Sequence, residues 1–272
     1  LMDFLESLLL GIIQGITEWL PLSSSGHLAL AQNALGETSI AYDVVLHLAT
    51  VVVACIYLRG DIKSIVLDWL AGVREAFGAA DKKAALFGRK ERLWGWLILL
   101  ASVPTAIIGL AIEKYFSGDD FTSLTIVGAG FIVTGVFLAA TKLARPAGRQ
   151  IGAGGALAIG TAQGASVLSS LSRSGLTVGT GIFLGASLED AARFSFLALI
   201  PATLGAALLK IGEIGALASS DLAAMAAGSV AAALVGYACL EAMMRVVRGG
   251  RMHWFAPYCV ALGVCVLAWS LL

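Results

Sequence analysis

The polar side chains best suited to chemistry lie close together near the start of the chain. The stretch "TEWLPLSSSGH", residues 17–27, follows the apolar run "LLLGII" and contains Glu18, Ser24 and His27. His27, three residues after Ser24, could act as a general base for a serine hydroxyl or be the nucleophile itself, since both roles occur in group transfer. The spacing leaves both roles open.

A second polar stretch, "SSLSRSGLT" at residues 169–177, has the residue types of an anion site. An arginine among apolar segments is costly unless it faces a cavity or a partner, and the planar guanidinium of Arg173 suits a phosphate. Gly175 permits a tight backbone that can offer N–H groups to an anion. Ser172, Ser174 and Thr177 add hydroxyl donors. We therefore predict a diphosphate site around Arg173.

The two polar stretches are copies of one pattern. Placing Gln14 on Gln163, an offset of 149 residues, aligns "QGITEWLPLSSSG" with "QGASVLSSLSRSG" without a gap. The coinciding pairs are Gln14/Gln163, Gly15/Gly164, Leu22/Leu171, Ser23/Ser172, Ser25/Ser174 and Gly26/Gly175. Small residues could recur merely because they let membrane helices pack closely. Two matched loops with different polar additions favour instead a functional internal repeat.

Glu18 has a further predicted role as the ligand of a cation. It follows Gln14 by four residues, so both side chains share a helix face and could coordinate a divalent cation, magnesium or calcium. A proton relay and a paired structural charge are the alternatives for such a carboxylate. His47 lies four residues after Asp43, and for this histidine a helix-face hydrogen bond is at least as well supported as catalysis.

The composition is that of an integral membrane protein. The chain has 272 residues, 58% of them hydrophobic and only 13% charged, which is atypical of a soluble domain. A helix needs about 20 apolar residues to cross the hydrocarbon core. Six stretches are long enough: 42–58, 93–112, 122–141, 190–210, 221–243 and 254–272. Neither a nucleotide-binding or zinc-hydrolase motif nor a basic patch for nucleic acid occurs in a credible context.

The lysines and arginines indicate which connections are cytoplasmic. Lysine and arginine are concentrated in three connections, whereas acidic residues dominate three others. The basic connections are 59–92, 142–149 and 245–251, and the acidic ones are 30–41, 113–121 and 211–221. By the positive-inside rule the basic connections are cytoplasmic, so the six spans form two groups of three with opposite orientation. We expect the 59–92 connection to lie on the membrane surface as an amphipathic segment.

The segments 5–35 and 151–185 are not among the six predicted spans, and Gly, Ser and Thr interrupt the apolar sequence of both. Irregular backbone at membrane depth is tolerated only where protein or a water-filled cavity covers it, so each should enter the membrane and return. The N-terminal run lacks a basic region and a clear cleavage site, so we expect it to belong to the first hairpin. The sequence thus predicts an all-α polytopic membrane fold with two inverted halves, 1–141 and 151–272. The hairpins would meet near the midplane, where inverted-repeat proteins place their sites.

These motifs resemble the signatures of the undecaprenyl-diphosphate phosphatase family of the bacitracin-resistance type. The family's first signature is Glu or Gln, three residues and Glu, then Pro-x-Ser-Ser-Thr-Gly-His. It is similar to "QGITE" and "PLSSSGH", with Ser25 in place of threonine. The second, Pro-Gly-x-Ser-Arg-Ser-Gly-x-Thr, is similar to "SSLSRSGLT", with Ser169 and Ser170 in place of Pro-Gly. The residues carried over are Gln14, Glu18, Pro21, Ser23, Ser24, Ser25, Gly26, His27, Ser172, Arg173, Ser174, Gly175 and Thr177.

The resemblance implies a membrane enzyme that removes the terminal phosphate of a polyprenyl diphosphate. The product is the monophosphate carrier for cell-envelope glycan synthesis, and the site would open to the outer face of the plasma membrane. The predicted catalytic residues are Glu18, Ser24, His27 and Arg173, and the predicted phosphate-binding residues are Ser23, Ser25, Gly26, Ser172, Ser174, Gly175 and Thr177. The divalent cation would be held by Gln14 and Glu18.

Two other functions and one question of assembly stay open at this point. A flippase for polyprenyl phosphates would use the same midplane anion site without a nucleophile. A relative that binds these lipids without hydrolysing them is a third alternative, because Gln14 and Ser169–Ser170 depart from the family's usual residues. The prenyl chain length, the identity of the metal and the oligomeric state, with a homodimer as one alternative, are left open.

Overall fold

The apolar runs of the sequence fold into helices that follow one another with short connections. The computed structural model describes residues 3–36, 39–115, 123–168, 170–212 and 222–271. In these ranges the protein has twelve α-helices and two short 3₁₀ helices, and no β-sheet. The helices are α1 Phe4–Trp19, α2 Ser24–Leu35, α3 Ile40–Tyr57, α4 Arg59–Ala76, α5 Lys82–Phe87, α6 Lys90–Tyr115, α7 Leu124–Ala140, α8 Ala153–Ala165, α9 Arg173–Phe183, α10 Leu188–Leu209, α11 Leu222–Arg248 and α12 Ala256–Trp269, with 3₁₀ turns at Thr141–Leu143 and Met252–Phe255.

Five helices in the described ranges are long and apolar enough to cross a membrane: α6, α7 with its 3₁₀ turn, α10, α11, and α12 with the turn before it. A sixth span, α3, meets the criterion together with α4, from which it is bent by 75°. The six positions match the predicted spans, and the prediction of an all-α polytopic membrane protein is confirmed. Parts of the predicted outer connections, at 37–38, 116–122 and 213–221, and Ser169 lie outside the described residues.

Two helical hairpins occupy the segments 5–35 and 151–185, which lie outside the six predicted spans. The first consists of α1 and α2, and the second of α8 and α9. Helix α1 packs along α11, and α8 packs along α6. Helix α3 then contacts α11, as α10 contacts α6, while α7 and α12 pair with each other. The entry of the two hairpins from opposite sides of the membrane stays a prediction.

Glycine makes two of these helix crossings very close. A Cβ atom on Gly11 of α1 would collide with the backbone carbonyl of Gly228 on α11. A Cβ atom on Gly160 of α8 would collide in the same way with the carbonyl of Ala101 on α6. Small residues permit this approach of two backbones, which is the usual way in which membrane helices gain packing contacts. The crossings fix the position of α1 and α8, which lead into the two polar loops.

A network of ion pairs ties together one end of the bundle, next to the basic connections. Arg193 of α10 donates to both carboxylate oxygens of Asp61 on α4, at 2.7 and 2.6 Å. Glu189 accepts from Arg193 and from Arg248 of α11. A further pair joins Lys90 of α6 to Asp190 of α10 at 2.7 Å. Such pairs are worth little singly at a surface, but a network of them holds four helices together.

The connection 59–92 forms α4, α5 and the first residues of α6. Arg92 is buried here, where it donates to both carboxylate oxygens of Glu75 at 2.7 and 3.0 Å and to the carbonyl of Ala85 at 2.6 Å. The hydrogen bonds from Arg92 lower the pKa of the Glu75 carboxyl. The placement of this segment on the membrane surface stays a prediction, and the sharp bend between α3 and α4 supports it.

Candidate active site

Glu18, near the end of α1, is the centre of a polar cluster inside the bundle. Its side chain is only 3% exposed. One carboxylate oxygen, Oε1, is paired with Arg173 of α9. The other, Oε2, accepts from Ser24 Oγ at 2.5 Å and from Gln14 Nε2 at 3.1 Å, and it lies 3.5 Å from His47 Nε2. Three elements besides α1 therefore bring side chains to one buried carboxylate.

The first polar loop places Ser24 against Glu18. Ser23, just before α2, has a φ of 68°, a left-handed conformation that is uncommon for a residue other than glycine. Its side chain caps α2 by accepting from the Gly26 amide at 3.3 Å. The strained residue turns the chain sharply after Pro21, so that Ser24 begins the helix with its hydroxyl directed at the carboxylate. Strain of this kind is commonly found at functional sites.

The second polar loop has the same cap at the matching position. Ser172 accepts from the Gly175 amide at 3.1 Å, as Ser23 does from Gly26. The loop is also held by Thr134 of α7, whose hydroxyl accepts from the Ser172 amide at 3.0 Å. This leaves Arg173 at the first position of α9, facing the first hairpin.

The tips of the two hairpins contact each other. Ser174 donates to the carbonyl of Leu20 at 3.2 Å, and a Cβ atom on Gly26 would lie 2.9 Å from the hydroxyl oxygen of Ser170. The Arg173–Glu18 ion pair crosses the same boundary. The cluster is therefore assembled from two loops that are about 150 residues apart in the chain and whose sequences align with each other.

Arg173 is positioned to take an anion. One terminal nitrogen, Nη2, contacts Glu18, while Nη1 is buried and has no hydrogen-bond partner among the described residues. The side chain as a whole is 15% exposed. A guanidinium with one unused edge can bind a phosphate oxygen there, and a buried donor left without a partner favours such a ligand.

His27 lies apart from this cluster. Its Nδ1 contacts the carbonyl oxygen of Ser23 at 2.8 Å, and its Nε2 contacts the hydroxyl of Tyr258 on α12 at 2.7 Å. The ring is stacked on Tyr258 and packs edge-on against Phe131. Both ring nitrogens are therefore engaged, and the catalytic role of His27 stays a prediction. The sequence did not indicate Tyr258, because this residue lies in an apolar helix that carries no recognisable motif.

Of the predicted phosphate-binding residues, Thr177 is placed behind the arginine and not beside it. Thr177 is fully buried and donates to the carbonyl of Arg173 at 2.7 Å. Its hydroxyl also shares a hydrogen bond of 2.5 Å with Ser195 of α10. These contacts orient the first turn of α9. Ser25, by contrast, is exposed at the tip of the first loop.

The oxygen atoms around Glu18 fit a cation only in part. Gln14 turns its amide nitrogen toward Glu18, and its Oε1 is buried without a hydrogen-bond partner among the described residues. In the same residues no three His, Cys, Asp or Glu side chains converge as a metal-binding group. An orphaned amide oxygen and one carboxylate suit an ion that takes its remaining ligands from a substrate, as Mg²⁺ commonly does with phosphates.

His47 of α3 is the member of the cluster whose contact with Glu18 the sequence did not predict. Its predicted helix-face contact with Asp43 exists, but it joins His47 Nδ1 to the backbone carbonyl of Asp43 at 2.7 Å. The Asp43 carboxylate instead accepts from Gln32 of α2 at 2.6 Å. The other ring nitrogen of His47 faces Glu18. This contact joins α1 to α3, and spacing within one helix could not reveal it.

The fold and the cluster define the class of the molecule: a polytopic helical membrane protein with a buried polar cluster where two hairpin tips meet. The sequence profile of the family described as bacitracin resistance protein BacA matches residues 7–265. The chain belongs to this family, as the loop motifs had indicated.

Curated relatives match the chain over nearly its full length. A protein of Desulforapulum autotrophicum named undecaprenyl-diphosphatase is 37% identical, over 97% of this chain and 97% of the relative. A protein of the same name from Desulfosudis oleivorans is 40% identical, over 96% of this chain and 97% of its own length. A third, from Korarchaeum cryptofilum, is 34% identical, over 98% and 99%.

Proposed function

We propose that this protein is a membrane hydrolase that converts a polyprenyl diphosphate of the undecaprenyl type to the monophosphate and inorganic phosphate. The observation that carries the proposal is the contact between Ser24, Glu18 and Arg173 at the meeting point of the two hairpins. It combines a hydroxyl, a carboxylate that can take its proton and a cation that can hold the reacting phosphate. The names of the relatives support the same reaction and do not favour a flippase.

Binding depends on Arg173 and on the two capped loops. The unused edge of the Arg173 guanidinium binds the terminal phosphate, and the hydroxyls and amide groups of the loops supply further donors. The prenyl chain stays among the apolar helices. Phosphoryl transfer is accelerated mainly by positioning and by neutralising charge on the transferring group, which is the work of these donors.

Ser24 is the nucleophile in this proposal. Its Oγ forms a bond to the terminal phosphorus while its proton passes to Glu18, and the bond from that phosphorus to the bridging oxygen breaks. The leaving polyprenyl monophosphate takes the proton from Glu18. Water then attacks the phosphorus of the phosphoserine and gives a proton to Glu18, the Oγ–P bond breaks, and Ser24 takes that proton from Glu18 as inorganic phosphate leaves. The support is the 2.5 Å contact of Ser24 with Glu18, whereas both nitrogens of His27 are engaged elsewhere.

A divalent cation is part of the proposal as a companion of the substrate. Glu18 would hold it together with Gln14, whose amide would turn so that Oε1, now without a described partner, replaces Nε2 beside the carboxylate. When bound, the ion would neutralise charge on the diphosphate.

The proposal also places the site on the outer face of the plasma membrane, between two halves of inverted topology. The matched caps at Ser23 and Ser172 and the matched pairing of α1 with α11 and α8 with α6 support the inverted halves. The ion-pair network closes the end next to the basic connections, which the positive-inside rule makes cytoplasmic. The proposed access lies at the other end of the bundle, where Asp43 and then His47 of α3 precede Glu18. The His47 side chain is 28% exposed.

Phosphate release by the purified protein tests the reaction. Wild-type protein and the Ser24→Ala, His27→Ala and Arg173→Ala variants are given a C55 polyprenyl diphosphate, with EDTA and then with added Mg²⁺ or Ca²⁺. We expect turnover by the wild type that depends on the ion, and near-complete loss in Ser24→Ala and Arg173→Ala. Folded, lipid-binding wild type that releases no phosphate would refute the proposal.

Trapping the intermediate tests the nucleophile separately. Acid quenching of the reaction with substrate labelled in its terminal phosphate should leave label on the protein as phosphoserine, which survives acid. Phosphohistidine is hydrolysed by acid but survives base. Base-stable, acid-labile label that disappears in His27→Ala would assign the attack to His27 and contradict the role given to Ser24.

A further inference from the structure

The basic residues at the end of the bundle next to the basic connections fall into two groups. On the side of α4, α10 and α11 they are paired with carboxylates, as Arg193 is with Asp61 and Arg248 is with Glu189. On the side of α7 and α12, four exposed basic residues contact no carboxylate of the described residues. These four are Lys142, Arg145, Arg149 and Arg251. The segments that carry them, 141–152 and 249–256, contain no acidic residue.

Two 3₁₀ turns that contact each other bring three of these residues together. The turn Thr141–Leu143 contains Lys142 and is followed by Arg145. It contacts the turn Met252–Phe255, which Arg251 directly precedes. Because like charges that lie close together repel each other, an anion bound between them would stabilise this arrangement.

Arg149 joins the same surface through the turn between α9 and α10. Its amide donates to the carbonyl of Gly185 at 2.9 Å, and its side chain passes beside that glycine. The other side of this turn reaches the second connection, because a Cβ atom on Gly250 would lie 3.9 Å from Leu188. The turn therefore lies between Arg149 and the residue that precedes Arg251. The four basic residues together form what we call the cationic surface.

Exposed apolar side chains border the cationic surface. Leu143 is 80% exposed and Trp254 is 62% exposed, and both lie at the ends of membrane spans, those of α7 and α12 with their 3₁₀ turns. A tryptophan at the end of a span is typical of the boundary between hydrocarbon and headgroups. The Arg251 guanidinium lies 4.8 Å from the centre of the Trp254 ring. This stacking orients the guanidinium plane and leaves its N–H edges available to a phosphate oxygen.

We propose that the cationic surface binds the headgroup of an anionic phospholipid, whose acyl chains lie against Leu143 and Trp254. The cations match a phosphodiester in charge, and clusters of lysine and arginine beside a membrane span attract anionic lipids in this way. A soluble anion would gain nothing from the exposed leucine and tryptophan. The surface lies at the ends of the spans, away from Glu18 and Arg173, and the proposal does not depend on the proposed hydrolase activity.

Binding of phosphatidylglycerol tests the proposal. The dissociation constants of fluorescent phosphatidylglycerol and phosphatidylcholine are measured in a maltoside detergent for the wild type and three variants. The first variant neutralises the cationic surface: Lys142→Gln/Arg145→Gln/Arg149→Gln/Arg251→Gln. The second keeps its charge: Lys142→Arg/Arg145→Lys/Arg149→Lys/Arg251→Lys. The third is the matched control, with the same change of charge in the connection 59–92: Lys63→Gln/Arg74→Gln/Lys82→Gln/Lys83→Gln.

The wild type should bind phosphatidylglycerol at least about tenfold more tightly than phosphatidylcholine. Each cation near an anionic lipid is worth about fivefold in affinity, so the neutralised variant should bind phosphatidylglycerol at least about tenfold more weakly than the wild type. The charge-preserving variant and the control variant should both stay within about threefold of the wild type. Thermal unfolding in detergent shows that each variant is folded.

Lipids with brominated acyl chains locate the site without any change of charge. Bromine quenches the fluorescence of a tryptophan that it contacts. Part of the quenching by brominated phosphatidylglycerol should therefore be lost in Trp254→Phe, and the same substitution should alter quenching by brominated phosphatidylcholine less. This comparison decides the matter even if the neutralised variant does not fold.

Four results would overturn the inference. These are equal affinity of the wild type for the two lipids, equal weakening by the two glutamine variants, quenching that is unchanged in Trp254→Phe, and displacement of the lipid by an equal concentration of water-soluble glycerophosphoglycerol. The proposed substrate site is tested separately by Arg173→Gln, which should bind phosphatidylglycerol as the wild type does. Loss of binding in that variant would place the lipid at the substrate site and contradict the proposal.

Discussion

Replacement of Arg173 by lysine is the sharpest test of the site, because lysine keeps the positive charge but lacks the planar guanidinium with its two terminal nitrogens. In the structure one guanidinium nitrogen contacts Glu18 and a second is buried and free to take a phosphate oxygen. A lysine ammonium is a single point of charge and cannot occupy both positions in a fixed plane. We therefore expect Arg173→Lys to fold and to lose much of its activity.

The expected fall in kcat follows from the hydrogen-bond donors that each substitution removes. Removal of one donor to the charge of a transition state costs about 10²–10³-fold in kcat, so Arg173→Lys should fall in this range. Arg173→Ala loses the charge as well and should fall by about 10³–10⁵-fold, the value of an arginine at a transferring phosphoryl group. The alanine variant also leaves Glu18 buried without its cation, which should destabilise the fold by about 3–5 kcal/mol.

Phosphate release from a C55 polyprenyl diphosphate, measured at saturating substrate, gives kcat for each variant, and thermal unfolding in detergent gives the stability. Arg145→Lys, an exposed arginine in the connection after α7, is the matched control and should retain wild-type turnover. Turnover by Arg173→Lys within about threefold of wild type would show that one point charge is sufficient, which contradicts the division of the guanidinium between Glu18 and phosphate.

Three further changes probe the scaffold by thermal unfolding in detergent. Gly160→Ala should destabilise the protein by about 1–3 kcal/mol, because the added Cβ atom would collide with the backbone of α6. Gly205→Ala is the matched control and should not destabilise the protein, because no atom lies within 4 Å of its added Cβ. Equal stability of the two would refute the close crossing. Ser172→Ala removes the cap of α9 and should cost about 0.5–2 kcal/mol and lower kcat far less than Arg173→Ala does. Tyr258→Phe removes the hydrogen bond to His27 and should cost about 1 kcal/mol; an unchanged midpoint would contradict that bond.

The spans and the polar loops could be predicted because each depends on local sequence. A run of about 20 apolar residues is sufficient to predict a membrane helix, and the positions of α6, α10 and α11 agree with the predicted stretches to within a few residues at most ends. The Ser caps at the two loops follow from residue type and a three-residue spacing. The contact of Gln14 with Glu18 follows from the helical repeat.

The contacts of the site that join distant elements could not be predicted in this way. His47 and Tyr258 lie in apolar helices, and their partners, Glu18 and His27, come from another part of the chain. Of the three histidines of the chain, His27 is the one that lies in a recognisable motif. Tertiary packing, however, brings His47 to the Glu18 carboxylate. Sequence position also did not indicate that the Thr177 hydroxyl, close to Arg173 in the chain, donates to the Arg173 carbonyl; its predicted role in phosphate binding stays a prediction.

The two close glycine crossings join the helices into two tightly packed pairs, α1 with α11 and α8 with α6. Helix α1 cannot slide or roll on α11 without a collision of backbones at Gly11, and the same holds for α8 on α6 at Gly160. We therefore expect each pair to behave as one rigid body, so that a conformational change would be concentrated at the boundary between the two pairs. Glu18 belongs to the first body, and Arg173, which follows α8 in the second hairpin, reaches across from the second. The ion pair between them spans this boundary, so a change in the relative position of the two pairs would alter it.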